Sequence, residues 1–322
     1  MVRWLLLALV VIGLAPGTFL RTPTGLRQNG AVVTVTPLAT REGVAGELAL
    51  TGVWELTAAH GWFGGFSALV AAGRTKLIAG SDRGWLLDID LTGPAPKVAP
   101  DSFRFIALRA STRSEVVDLE ALAHDPASGT LWAAYEYYNR IERLSPGGAR
   151  AHREPPEMER WSDNSGPETM VRLADGRFVV IAEGSKRGEA LLHRALLFPG
   201  DPVKPGEAAR FQFQSWPDYD PVDATALPDG RVLILLRRVE YAFPVRFDTA
   251  IAIADSRMIK PGSTWRARII QRLQGGIFAD NFEGIAFIPS ADDPAKGAVW
   301  LISDDNLSAF QKSLLVRFDW KG

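Results

Sequence analysis

Five times along the chain a small or acidic position opens a short apolar run: Phe66-Ser67-Ala68-Leu69, Leu119-Glu120-Ala121-Leu122, Pro167-Glu168-Thr169-Met170, Val222-Asp223-Ala224-Thr225 and Phe282-Glu283-Gly284-Ile285. From 67 to 120, 168, 223 and 283 the steps are 53, 48, 55 and 60 residues. A turn follows each opening: Ala72-Gly73-Arg74, Asp125 to Gly129, Asp175-Gly176, Asp229-Gly230, and a longer one from Pro289 to Gly297. Asp-Gly between apolar runs predicts a hairpin. The second strands are then expected from Lys76 to Asp82, Thr130 to Glu136, Arg177 to Glu183, Arg231 to Arg237 and Ala298 to Asp304. Four end on a carboxylate and the fifth on Arg237. Third strands are read at 84–90, 140–144, 190–194 and 313–319, and weaker fourth strands at 103–109, 210–214 and 264–271. A unit of three or four antiparallel strands at a pitch near 50 residues predicts an all-β fold, a β-propeller of five blades. The longer last two steps leave room for an eroded sixth. Only 39 residues follow Glu283, so the stretch 47–60 is expected to complete the last blade and leave no free sheet edge. A β-sandwich is the alternative, but it gives no reason for one opening to recur at a near-constant step.

Ahead of the repeats, Met1-Val2-Arg3 precedes an apolar run from Trp4 to Ala15 that breaks at Pro16-Gly17. A short basic start and an apolar stretch below the ~20 residues of a spanning helix read as an export signal. No small-x-small cleavage site follows, so an uncleaved membrane anchor is the alternative. The chain divides into signal or anchor (1–20), a Thr-, Gly- and Pro-rich linker (21–44) and one domain (45–322), expected to be periplasmic or secreted, or tethered to the inner membrane. Charge removes other options. With 36 basic against 37 acidic side chains and no basic cluster, nucleic acid is not an expected partner. The absence of cysteine excludes disulfides and thiolate chemistry, and the four histidines fall in no metal-binding spacing.

Carboxylates carry the candidate chemistry. Inner strands of a propeller line its channel and begin at one mouth, so Glu120, Glu168, Asp223 and Glu283 are expected to converge, with Ser67 in the first copy. Asp223 sits one residue off register relative to its Asp-Gly turn. The second-strand ends Asp82, Glu136, Glu183 and the pair Asp304-Asp305 are candidates for the same face. Crowded carboxylates must be protonated, paired or metal-bound. Hard oxygen donors in this number suit Ca²⁺ best, with Mg²⁺ or Mn²⁺ behind. The plainer alternative is that each acid caps its own blade by accepting backbone amides. Arg237-Arg238 fits two roles, neutralising the acids or gripping an anionic substrate group. His124, just after the Glu120 strand, is the candidate general base, although a turn histidine before Asp125-Pro126 is the more ordinary reading. Asn164 and Asn281 stand beside two openings as oxygen donors or turn formers. Neither a GxSxG elbow nor a Walker sequence occurs.

Asp280-Asn-Phe-Glu-Gly-Ile-Ala286, then Leu301-Ile-Ser-Asp-Asp-Asn306 and Gln311 to Phe318, resemble the closing segment of the phytase-like, or esterase-like, family of exported bacterial proteins. Trp54-Glu-Leu, Phe63 to Leu69 with Ser81-Asp-Arg-Gly84, Asp118-Leu-Glu-Ala-Leu122 and Asp223 to Gly230 are similar to its other blocks, in the family's order. The resemblance runs from about residue 45 to the carboxyl end. It implies a propeller related to calcium-dependent phytases, with Glu120, Glu168, Asp223, Glu283 and Asp304-Asp305 on the polar face, and it supplies no nucleophile. The expectation that follows is a monomeric, divalent-cation-dependent hydrolase of a small phosphate or carboxylate ester. A non-catalytic propeller presenting its face to a protein or envelope ligand is the rival, and a lactonase-like enzyme is a third option. The residues leave catalysis itself open.

Overall fold

Each short hairpin closes where glycine accepts a left-handed backbone: Gly73, Gly129, Gly176 and Gly230 have φ of 95°, 70°, 88° and 90°. The computed structural model describes residues 27–39, 46–106, 117–162, 165–186, 189–242, 245–308 and 310–322. The amino-terminal export or anchor segment, the ends of the linker (21–26 and 40–44), the first residue of the domain and Asn164 lie outside the described residues.

The strands are β1 (Val33–Pro37) and β2 (Leu48–Ala58), then β3 (Phe66–Ala71), β4 (Lys76–Ser81), β5 (Trp85–Asp90) and β6 (Phe103–Phe105). Next come β7 (Leu119–Asp125), β8 (Thr130–Tyr135), β9 (Arg140–Leu144) and β10 (Arg150–Arg153). The third group is β11 (Pro167–Arg172), β12 (Phe178–Lys186), β13 (Glu189–Phe198) and β14 (Ala209–Gln214). The fourth is β15 (Asp220–Ala226), β16 (Arg231–Glu240), β17 (Arg246–Asp255), β18 (Thr264–Arg266) and β19 (Arg268–Leu273), and the chain ends with β20 (Asn281–Pro289), β21 (Gly297–Asp304) and β22 (Ser313–Trp320).

Five sheets result, ordered β3-β4-β5-β6, β7-β8-β9-β10, β11-β12-β13-β14-β18, β15-β16-β17-β19 and β20-β21-β22-β2-β1. Their innermost strands touch in a closed cycle, β3 to β7 to β11 to β15 to β20 and back to β3. This is a five-bladed propeller, with no α-helix and no sixth blade among the described residues. The last blade is closed by the amino-terminal strands, β2 pairing antiparallel with β22. β1 adds itself outside β2, so the stretch read as linker contains a strand. Its Val33 and Val35 are partly buried against the core, which is why it pairs instead of hanging free.

The segment 264–271, read as one outer strand, is two: β18 runs parallel to β14 of the preceding blade, and β19 edges its own. β10 and β17 went unread in the sequence. Apolar side chains gather into five clusters, one for each boundary between adjacent blades. Trp132 packs edge-on against Phe178 across one such boundary at 4.9 Å, and Trp85 stacks on Phe103 at 4.6 Å. Tryptophans therefore serve packing, as large apolar rings do in sheet interiors.

Candidate metal centre at the channel mouth

One local irregularity builds the site. Every inner strand carries a β-bulge against its neighbour near its first residues, the register skipping Ser67, Glu120, Glu168, Val222 and Glu283. A bulge inserts a residue without a cross-strand partner and re-aims its side chain. Second strands pass beside the bulges, bringing Asp82 and Glu136 just after β4 and β8, Asp304 at the end of β21, and Glu183 and Arg237 three residues before the ends of β12 and β16, which run on past the ends the sequence suggested. Two residues before the bulge stand Gly65, Asp118, Gly166, Asp220 and Asn281. Asp118 is held at φ 53°, a region costly for a residue with a β-carbon and frequent at functional sites.

Carboxylate oxygens of Asp118, Glu120 and Glu136 lie within 4.8 Å of one another, and so do those of Glu136, Glu168 and Glu183. The two trios share Glu136. Its Oε1 accepts the Gly166 amide at 2.8 Å. A Cβ on Gly166 would lie 2.9 Å from the Glu136 Cγ, so glycine there lets the two segments approach. On the far side sits Arg237, the partly buried counter-ion. It donates through Nη2 to Glu183 Oε1 at 2.6 Å and through Nη1 to Asn281 Oδ1 at 3.3 Å, and it also pairs with Glu283. Asn281 Nδ2 in turn donates to Glu283 Oε1 at 2.8 Å and reaches Asp304 Oδ2 at 3.5 Å.

Burial dominates the electrostatics. It pushes Glu120 well above the usual carboxylate range, with Glu168, Glu283, Asp118 and Asp82 adding repulsion. Glu168 and Asp304 are raised well above theirs in the same way, burial first and then Glu183 for the former and Glu283 for the latter. Burial raises Glu136 to about 8 and Asp82 to about 7, and lifts Glu283 against the pull of Arg237. Burial alone would lower Arg237, but Glu283, Glu168 and Glu183 together hold it above its ordinary value. Burial and mutual repulsion thus favour the protonated forms of Glu120, Glu136, Glu168 and Asp304, whereas Arg237 favours the anionic form of Glu283. With only oxygen donors, several of them anionic and close together, the set fits a hard divalent cation, Asp118, Glu120, Glu136 and Glu168 being the residues that would hold it.

Seven of the expected acids therefore share the mouth: Asp82, Glu120, Glu136, Glu168, Glu183, Glu283 and Asp304. Others do not. Asp223 was aligned with the openings, but the bulged residue of its blade is Val222, and the one-residue difference turns Asp223 into the channel. There it accepts the amides of Ile285 and Ala224, both at 2.8 Å, and of Leu69 at 3.4 Å, joining three blades. Asp305 is fully buried and caps a loop, accepting Gly65 N at 3.2 Å, Leu307 N at 2.9 Å and Ser313 Oγ at 2.7 Å. Arg238, next along the strand and so on the opposite face, pairs with Asp248 beneath Tyr219. Of the two roles open to the arginine pair, Arg237 takes the first, neutralising acids, and Arg238 leaves the site. His124 lies four residues along β7 from Glu120, about 13 Å away at strand rise. It lines a cavity of about 390 Å³ at the other end of the channel, hydrogen-bonded to Ala71 O, and burial lowers its pKa. Proton transfer at the acidic mouth is out of its reach.

Sequence reasoning missed Asp118 and Asp220 as members of the site. Asp118 was visible only inside a motif, and burial raises it too, against hydrogen bonds with Glu136 and Glu120. Asp220, raised to about 6 by burial and then by Glu183, occupies the place in its blade that Asp118 has in the second. The two-residue offset from the bulge is the signal that would have found both.

The fold and site define a five-bladed propeller with an acidic channel mouth. The family described as Phytase-like, esterase-like activity of phytase, matches residues 61–307, and the chain belongs to it. No curated protein matches the sequence. Solved structures with a similar outline include virginiamycin B lyase from Staphylococcus aureus, with a TM-score of 0.43, 11% identity, and coverage of 90% of this chain and 99% of that one. A chain of the nidogen/laminin complex gives 0.42, 10% identity, and coverage of 88% and 96%. The Cps50 (Swd1) β-propeller domain of Myceliophteria thermophila gives 0.38, 9% identity, and coverage of 93% and 99%.

Proposed function

We propose that this protein is an exported hydrolase of phosphate or carboxylate esters that depends on a divalent cation, calcium first. The observation that carries the reading is the pair of carboxylate trios sharing Glu136 at the open end of the channel. A cation bound there would supply an activated water and offset negative charge developing on the ester. Asp82 stands outside both trios with a pKa raised to about 7, so it exchanges a proton readily at working pH. Its Oδ1 accepts from Ser81 Oγ at 3.2 Å, which leaves Oδ2 to deliver the proton to a leaving alcohol. Bulged Glu168 and Glu120 turn their carboxyls toward the same space.

Metal analysis of purified protein, followed by a panel of phosphomonoesters, phytate, aryl esters and lactones with and without chelator, tests this. Chelator-sensitive turnover of one ester class supports it, and no turnover with calcium bound overturns it. The engagement of Arg237 by Glu183, Glu283 and Asn281 favours a second reading, a non-catalytic propeller whose acidic face meets a protein or envelope ligand, because that guanidinium is already taken up by the protein's own oxygens. Export to the periplasm or beyond, with or without tethering by residues 1–20, is checked by cell fractionation of the full chain.

A further inference from the structure

Four blades bring a carboxylate to the mouth on the second strand or just after it, Asp82, Glu136, Glu183 and Asp304, and the fourth blade brings Arg237. Its guanidinium meets Glu183 Oε1 at 2.6 Å, Asn281 Oδ1 at 3.3 Å and the Glu283 carboxylate, and Asn281 links that cluster to Asp304 Oδ2. Every partner is a hard oxygen and two are anionic, which is the donor set a second divalent ion would use. Glu183 is also a member of one carboxylate trio, so the ion pair competes for that carboxylate, whereas Asp118, Glu120 and Glu136 form a set that does not include it.

We propose that Arg237 is a fixed second cation of the mouth, standing between Glu183 and Glu283 where a second divalent ion would otherwise sit and confining exchangeable cation to the Asp118–Glu120–Glu136 side. The inference deepens the cation-dependent reading above and relies on it only for the ion on that side. A guanidinium carries one charge, cannot lose it, and presents donors in a rigid fork. Part of the charge compensation is thereby permanent. Blades three, four and five, which contribute Glu183, Arg237 and Glu283, stay joined when metal is withdrawn, and a chelator removes only the ion held by the other side.

The test is calcium binding by the full chain in wild type, Arg237→Met and Arg237→Lys, counted by titration calorimetry and by native mass spectrometry, with melting temperature followed in parallel. Arg237→Met removes the charge and keeps much of the volume; it is expected to bind one calcium more than wild type, to melt lower in chelator and to recover with calcium. Arg237→Lys keeps a charge and is expected to bind the wild-type number. Equal counts in wild type and Arg237→Met, a methionine variant that stays unfolded with calcium present, or a lysine variant that also gains an ion would each overturn the proposal. A wild type that binds no calcium beside a methionine variant that binds one would end the cation-dependent reading and still uphold the role of Arg237.

Discussion

Asp223 offers the sharpest separation of structure from chemistry, since its sequence position suggests a metal ligand and its contacts make it a tie between blades. Replacing it by alanine strands the amides of Ile285 and Ala224, each now 2.8 Å from a carboxylate oxygen, and the more distant amide of Leu69. A buried donor left without a partner costs about 1–3 kcal/mol, so the two close amides alone come to about 2–6 kcal/mol. At about 2 °C per kcal/mol for a domain this large, melting should fall by roughly 4–12 °C. Asparagine matches the uncharged acid but turns an NH₂ toward one amide, so about 1–3 kcal/mol is expected. Burial holds the Asp223 carboxyl well above its usual range despite the three amides. A folded-state pKa above the unfolded one means that wild type loses stability as pH rises from about 4, while asparagine does not titrate. The melting gap between wild type and Asp223→Asn should therefore narrow from pH 5 toward pH 8. Calcium binding should be the same in all three proteins. Thermal unfolding and calcium titration across that range decide the matter: an unchanged melting temperature for Asp223→Ala, or lost calcium binding in Asp223→Asn, would refute the reasoning.

In chelator, melting temperature should decline from pH 5 to pH 8, because Asp220, Asp82 and Glu136, raised to about 6, 7 and 8, bind protons in the folded state that the unfolded chain has released. Calcium should flatten that decline, and a melting temperature that rises with pH in chelator would contradict the electrostatics. Gly65→Ala places a β-carbon 2.3 Å from Asp82 Oδ1 at a φ of 66°. Roughly 1–2 kcal/mol of destabilisation is expected, with ester turnover lost and calcium still bound; turnover at the wild-type rate would remove Asp82 from the chemistry. His124→Gln should leave turnover and its pH profile unchanged, since the imidazole sits at the opposite end of the channel, and a rate loss without a stability loss would bring the histidine back.

Blade number and inner-strand placement were legible because two signals agree: a polar opening at a near-constant step, and glycine turns that fix where each hairpin reverses. Chain closure was legible from arithmetic, since too few residues follow Glu283 to build a blade. The site was legible only where a bulge falls on an acid. At Glu120, Glu168 and Glu283 alignment by residue type and alignment by strand register coincide. In the fourth blade they differ by one, and a period of two along a strand turns that one residue into the opposite direction. Arg237 and Glu183 illustrate another gap, as nothing in the chain order shows that they meet across neighbouring blades. Short outer strands such as β10 and β18 carry too little apolar pattern to announce themselves, and β18 pairs outside its own repeat.

The amino-terminal strands give the ring a seam with two unequal stitches. β1 is joined only to β2, through five register pairs, whereas β2 is joined to β22 through eight. A mechanical load applied to the chain ahead of Asn29 would first break the hydrogen bonds that tie Asn29, Gly30 and Ala31 to the segment 100–105, and would then peel β1 from the outer edge. The pull would then meet β2, whose Leu48, Val53 and Leu56 are buried in the boundaries on either side of the last blade. Such a joint yields in stages: an outer strand can be shed as slack under tension while β2 keeps the ring closed and the channel mouth, built from strands that bear none of the load, keeps its shape.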